Sequence, residues 1–138
     1  MMKILFVCRS NVGRSQMAEG FFNKFSKKDS AISAGTKVEE KYLAKKLRAI
    51  VKFIIPVMVE KGIDISNNRP KQLTKEMIDS VDMVIAMVDK EFCPDYLLAS
   101  KKVKFWDVED PRHGDLDVHR KARDEIERRV KNLIKEIG

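Results

Sequence analysis

The sequence predicts an α/β fold: a three-layer arrangement in which a parallel sheet of four strands carries helices on both faces. Apolar segments of strand length alternate along the chain with segments of helical periodicity, the βαβ pattern that builds parallel sheets. The first of them, Lys3–Cys8 (KILFVC), is apolar at consecutive positions, as a strand buried on both faces must be. No repeat, low-complexity tract or linker interrupts the 138 residues. One domain spanning 1–138 is therefore expected, large enough to bury a real core.

The elements follow in order. After Cys8 comes a polar loop, Arg9–Arg14, and from Ser15 the residues Met17, Ala18, Phe21, Phe22 and Phe25 recur at helical spacing, predicting an amphipathic helix to about Lys28. A short strand, Ala31–Ser33, stops at Gly35. Leu43, Leu47, Ile50, Val51 and Ile54 predict a helix over Glu39–Lys61, kinked or split by Pro56 and ended by Gly62. Thr74 is placed to cap a short helix through Ser80. Val81–Val88 and Val103–Trp106 read as the third and fourth strands. The last helix, Leu116–Ile137, has Ala122, Ile126, Val130, Leu133 and Ile137 along one face.

Composition narrows the function classes. Hydrophobic residues make up 43% and charged ones 36%, with 28 Lys+Arg against 21 Asp+Glu and a net charge of +7. That balance favours anionic partners without choosing among them. Nucleic acid is not expected as a partner, because no recognition module or aromatic stacking platform is present. The charges of the last helix (Arg120, Lys121, Arg123, Asp124, Glu125, Glu127, Arg128) alternate in sign and read as a solvated face. The apolar runs Ile4–Cys8 and Phe53–Val59 are too short for a signal-peptide core or a membrane span, so no membrane role and a cytoplasmic home are expected. Two distant cysteines make no disulfide framework and read as free thiols in a reducing compartment. No Cys, His and carboxylate cluster has metal-ligand spacing, so no metal is expected.

The chemistry is concentrated in Cys8-Arg9-Ser10-Asn11-Val12-Gly13-Arg14-Ser15. It is a strand end, a turn and a helix start, and in parallel sheets ligands bind beyond the carboxyl ends of strands where strand order reverses. Such a loop can aim successive backbone N–H groups inward as a nest for a tetrahedral oxyanion at a helix N-terminus. The same amides and the helix dipole favour a thiolate at Cys8, making it a nucleophile. Arg14 is placed to fold over the nest, its planar fork matching two oxygens of a phosphate or arsenate. Ser15 can hydrogen-bond the sulfur and ease its departure from a covalent intermediate. Asn11 tolerates the left-handed backbone of a tight cradle, and Gly13 lets the backbone approach the anion. A thiolate nucleophile also needs a proton donor for the leaving oxygen. Asp110-Pro111, following the fourth strand on the same edge of the sheet, could supply one, although Asp-Pro alone is a common turn signal.

These segments resemble the low-molecular-weight tyrosine phosphatases, whose signature after a strand is C-x-G-N-x-C-R-S, and still more the related thioredoxin-coupled arsenate reductases. The matching pieces are CRSNVGRSQMAEG (8–20), SAGT (33–36), GIDIS (62–66), VIAM (84–87), DP (110–111) and RDEIERRV (123–130), which span nearly the whole chain in order. The resemblance implies that Cys8 is the nucleophile, Arg14 the oxyanion binder and Asp110 general acid and then base. There are departures. Gly13 stands where the phosphatase loop has its second cysteine, and Ser10 where a glycine is usual. Of the two further cysteines that relay the disulfide in the reductases, Cys93 matches the second, while Val88 occupies the place of the first. Arg112-His113-Gly114 replaces the tyrosines that often stack on the substrate ring, and the segment 36–61, which in the family helps wall the pocket, is longer than usual.

A phosphomonoesterase working through a phosphocysteine is thus the leading expectation. Arg9, Ser10, Asn11, Val12, Gly13 and Ser15 would hold the phosphoryl group of a phosphorylated protein or small aryl phosphate, without a cofactor. The alternative is an arsenate reductase, with Cys8 attacking arsenate, Cys93 resolving the adduct, and thioredoxin or another thiol reductant supplying electrons. Cys93 is equally readable as a small buried hydrophobe. His113 and His119 read as surface residues.

Overall fold

The computed structural model describes residues 1–138. Four strands form the sheet: β1 (Lys3–Cys8), β2 (Ser30–Gly35), β3 (Met83–Ala86) and β4 (Val103–Phe105). Their order is β2-β1-β3-β4, and every pair is parallel. Side-chain alternation along β1 divides the core between two layers. Ile4 and Phe6 face α1 (Arg14–Phe25) and α5 (Leu116–Ile137), whereas Leu5 and Val7 face α3 (Lys75–Asp79) and α4 (Asp95–Leu98). β1 is fully buried from Ile4 to Val7, as its unbroken apolar run requires. It lies between β2 and β3, so strand order reverses at β1 and the crevice opens at its carboxyl end, directly above Cys8.

The helices form for the reasons the pattern gave, with local exceptions. Thr74 caps α3 by accepting from the Met77 amide at 3.2 Å, and Asp115 caps α5 by accepting from Val118 at 3.1 Å. α1 ends at Phe25, short of Lys28, because Ser26 turns extended (φ −85°, ψ 134°). β3 and β4 are shorter than expected, and α4 falls in a segment to which the apolar pattern assigned no helix.

Two expectations are overturned. The chain from Glu39 to Lys61 is not one split helix. It holds two short 3-10 turns, Glu40–Tyr42 and Leu47–Ala49, and only α2 (Ile54–Val59) is helical. Leu43 is 40% exposed, whereas Leu47 and Ile54 are buried in the core without a continuous helix to carry them. The amides of Leu47 and Arg48 instead bond to Asn68 and Ser66 carbonyls, at 2.8 and 3.1 Å. Pro56 sits in the first turn of α2, where its missing N–H removes no intrahelical bond, so it neither kinks nor splits a helix. The second correction concerns the solvated face of α5. Arg123 is buried, its Nη1 donating to the Val57 carbonyl at 2.9 Å and to the Glu60 carboxylate. Hydrogen bonds from Arg120 and Arg123 hold the Glu60 carboxyl down to about 2. This cluster clamps α2, and with it one wall of the cleft, onto α5.

Candidate active site

The loop between β1 and α1 has the predicted cradle form. Asn11 is in the left-handed region (φ 55°), the only non-glycine residue there. Its own amide donates to Cys8 Sγ at 3.3 Å. The amides of Val12, Gly13, Arg14 and Ser15 have no acceptor within the protein, the free donor set of a helix N-terminus. Cys8 is 3% exposed.

A buried hydrogen-bond network around Asn11 fixes this loop. The backbone N–H of Lys71 donates to Asn11 Oδ1 at 2.9 Å, which establishes the orientation of the amide. Asn11 Nδ2 is then a donor to Ser15 Oγ at 2.7 Å and to Ser33 Oγ at 3.0 Å. With a lone pair of Ser15 so occupied, its hydroxyl proton is free for Cys8 Sγ, 2.9 Å away. Ser33 in turn donates to Glu19 Oε1 at 2.8 Å, and Gln16 Nε2 reaches Asn11 Oδ1 at 3.1 Å. Ser33, Glu19 and Gln16 were not singled out from the sequence. The available signal was a serine on the short, mostly apolar edge strand β2 and a glutamine on the buried side of α1.

The glycine that the cradle needs is Gly35. A Cβ on Gly13 would meet only Ile54 Cδ1 within the protein, at an ordinary 3.6 Å. A Cβ on Gly35 would lie 2.7 Å from the Arg9 carbonyl oxygen and 2.9 Å from the Asn11 nitrogen. The cradle thus rests on the end of β2, with Thr36 and Lys37 amides bonding to the Cys8 and Arg9 carbonyls at 2.9 and 2.8 Å. Gly35→Ala is expected to cost about 1–3 kcal/mol of stability, as overpacking against backbone does. It should also weaken inorganic phosphate binding in titration calorimetry. Unchanged melting and unchanged phosphate affinity would refute that account.

Arg14 and Asp110 come together across the cleft. Arg14 Nη1 donates to the Val108 carbonyl at 3.0 Å, and Nη2 lies 3.6 Å from Asp110 Oδ2, with side-chain exposures of 12% and 44%. Asp110 Oδ1 accepts the Arg112 amide at 3.0 Å, an Asx turn stiffened by the buried Pro111. His113 is exposed, as expected.

A cleft of about 420 Å³ opens over Cys8 and Arg14. Asp110, Arg112, Glu39, Tyr42, Ile50, Val51, Phe53 and Ile54 are among the residues that line it. The segment 36–61 supplies most of its apolar wall. His119 corrects the surface assignment made above: it is 5% exposed, lines the cleft, and packs its ring 5.1 Å from that of Phe53. Its Nδ1 lies 2.8 Å from the Asp115 carbonyl and must carry the proton, because a carbonyl only accepts. Tyr42 and Phe53 reach the cleft because the segment 39–61 folds as short turns and α2, a conformation its apolar spacing does not encode.

Cys93 does not line this cleft. It packs against the cluster on the Leu5 and Val7 face, and its thiol donates to the Asp89 carbonyl at 3.5 Å. Burial pushes the Cys93 thiol up from its ordinary value, and the Asp89 carboxylate adds to the shift. One contact joins its loop to the cradle: the Arg9 guanidinium lies 3.9 Å over the Phe92 ring. No group of three or more His, Cys, Asp or Glu is arranged to hold a metal ion. No helix is long and apolar enough to cross a membrane.

Comparisons with known proteins converge on these features. A glutaredoxin arsenate reductase of Synechocystis sp. is 32% identical over 139 residues, covering 100% of both chains. The low molecular weight protein tyrosine phosphatase of T. tengcongensis superposes with a TM-score of 0.85 at 31% identity, over 99% of each chain. An arginine phosphatase variant, solved with a phosphorylated active-site serine, gives 0.83 at 28% identity over 99% of this chain and 95% of that one. The family model for low molecular weight phosphotyrosine protein phosphatase matches residues 3–138, from the start of β1 through the end of α5. With a cysteine-bearing loop after β1 and an Asp-Pro turn after β4, the chain belongs to the low molecular weight phosphotyrosine protein phosphatase family.

Proposed function

We propose that the chain is a cysteine-dependent phosphomonoesterase acting on phosphotyrosine or a small aryl phosphate. The observation that carries this reading is the separation of the two thiols. Cys8 opens onto the cleft, while Cys93 is packed against the other face of the sheet. Attack by Cys93 on a Cys8 adduct would need its thiol to leave that cluster and enter the cleft, with the two Cα atoms within about 7 Å. Water needs no such movement.

The chemistry runs in two steps. Cys8 thiolate attacks phosphorus, the S–P bond forms and the ester P–O bond breaks, with Asp110 giving its proton to the leaving oxygen. Arg14 and the amides of Val12 to Ser15 hold the three equatorial oxygens, where charge accumulates. Asp110, now ionised, takes a proton from water as the water attacks phosphorus. The S–P bond breaks, inorganic phosphate leaves, and the Ser15 hydroxyl stabilises the departing thiolate. The phosphorylated active-site serine of the related arginine phosphatase supports a phosphoryl-enzyme route.

Arsenate reduction is the second reading. It is favoured by the Synechocystis relative and by the Arg9 to Phe92 contact, which joins the Cys93 loop to the cradle. Two electrons would come from the Cys8 and Cys93 thiols, leaving a disulfide for thioredoxin or another thiol reductant to open.

Parallel assays separate the readings. Cys93→Ser should retain near-parental hydrolysis of aryl phosphates. Arsenate turnover that Cys93→Ser abolishes, in a parent with negligible ester hydrolysis, would reverse the ranking.

A further inference from the structure

Two positions at which this chain departs from the family pattern touch each other. Ser10 replaces the usual loop glycine, and Arg112 stands where the phosphatases often carry a tyrosine after Asp-Pro. Arg112 Nη2 donates to Ser10 Oγ at 2.8 Å, across 102 residues of sequence. On its other side, Arg112 Nε lies 3.9 Å from Asp110 Oδ2, and the Arg112 amide donates to Asp110 Oδ1 at 3.0 Å. One guanidinium thus ties the anion cradle to the carboxylate.

We propose that Arg112, latched to Ser10, is a positioning residue for Asp110 during proton transfer. This rests on the reading of Asp110 as general acid. Asp110 is 44% exposed, and its other cation is Arg14, 3.6 Å away. Arg14 already gives Nη1 to the Val108 carbonyl, and an arriving phosphoryl group claims its remaining donors. Arg112 then becomes the contact that holds the carboxyl against the leaving oxygen. Its rigid planar fork can face Ser10 and Asp110 at once, which a lysine ammonium on a flexible stem does less well. An exposed pair of this kind adds little to stability, but small misplacement of a catalytic group has a large effect on rate. Arg112 exchanges no proton. Its side-chain hydrogen bond goes to Ser10, while the Cys8 sulfur is bonded by Ser15 and Asn11.

The test compares phenyl phosphate, a poor leaving group, with para-nitrophenyl phosphate, an activated one. Arg112→Ala should lower kcat on phenyl phosphate by about 10-fold and on para-nitrophenyl phosphate by only about 2-fold, with KM little moved. Ser10→Ala, which keeps the loop amide, should shift both in the same sense by less, and Arg112→Lys should recover part of the loss. In an Asp110→Asn background, Arg112→Ala should cause no further selective loss, because both act through one group. Equal losses on the two substrates, or losses that add to those of Asp110→Asn, would overturn the proposal while leaving the phosphatase reading intact. A parent inactive on both esters would overturn that reading and this proposal with it. Circular dichroism melts confirm that each variant is folded.

Discussion

Cys8→Ser should remove aryl-phosphate turnover while leaving phosphate binding close to parental. The hydroxyl oxygen occupies nearly the place of the sulfur, so the amides of Val12 to Ser15 and the Arg14 guanidinium still meet a tetrahedral anion. What is lost is the thiolate, since a hydroxyl in its place is not ionised near neutral pH. The neighbours of Cys8 are a hydroxyl at 2.9 Å and an amide at 3.3 Å, neither of which can take a proton from serine as a general base. Loss of a covalent nucleophile lowers kcat by about 10⁶-fold in a well-studied case. Steady-state hydrolysis together with phosphate titration by calorimetry checks both halves. Activity of the parental order, or loss of phosphate binding along with activity, would refute the assignment of Cys8 as nucleophile acting within an otherwise independent cradle.

What could be read from the residues follows from how local the determining physics is. β1, α1 and α5 were legible because their apolar periodicity is long and because burial in the observed layers follows it, Ile4 and Phe6 to one side and Leu5 and Val7 to the other. The cradle was legible for the same reason: strand end, turn and helix start are contiguous in sequence, and the Asn11 backbone and the Ser15 to Cys8 contact follow from local geometry. The segment 39–61 was misread because its apolar residues have helical spacing, yet Leu47 is held by pairing with residues 66–68, a long-range effect that periodicity does not encode. Arg123 and His119 were misread by chemical type. Arg123 is buried because Val57 and Glu60 meet its donors, and His119 because Phe53 covers its ring. The contact of Ser10 with Arg112 joins residues 102 apart and could be seen only once β1 and β4 had brought their loops to one edge of the sheet.

Asp110→Asn should slow hydrolysis of phenyl phosphate far more than that of para-nitrophenyl phosphate. Asn keeps the size of the side chain, and its Oδ1 can still accept the Arg112 amide that now reaches Asp110 at 3.0 Å, so the turn before α5 should persist. What the amide cannot do is release a proton to a leaving oxygen or take one back from water. A phenoxide is a strong base and departs slowly without protonation, whereas a nitrophenoxide is stable enough to leave unaided. General acid catalysis contributes roughly 10²–10⁴-fold, so a loss in that range is expected on phenyl phosphate and a much smaller one on the activated ester. The ratio of the two losses is the informative quantity. A general defect in the cleft, such as movement of Arg14 after removal of the carboxylate 3.6 Å from it, would lower both rates alike and weaken phosphate binding as well. Breakdown of the phosphocysteine also passes through Asp110, now as base. If that step becomes limiting on the activated ester, rapid mixing should reveal a burst of nitrophenol followed by slower turnover. Equal losses on the two esters without a burst would make Asp110 a structural partner of Arg14 and leave the proton donor to be sought elsewhere in the cleft.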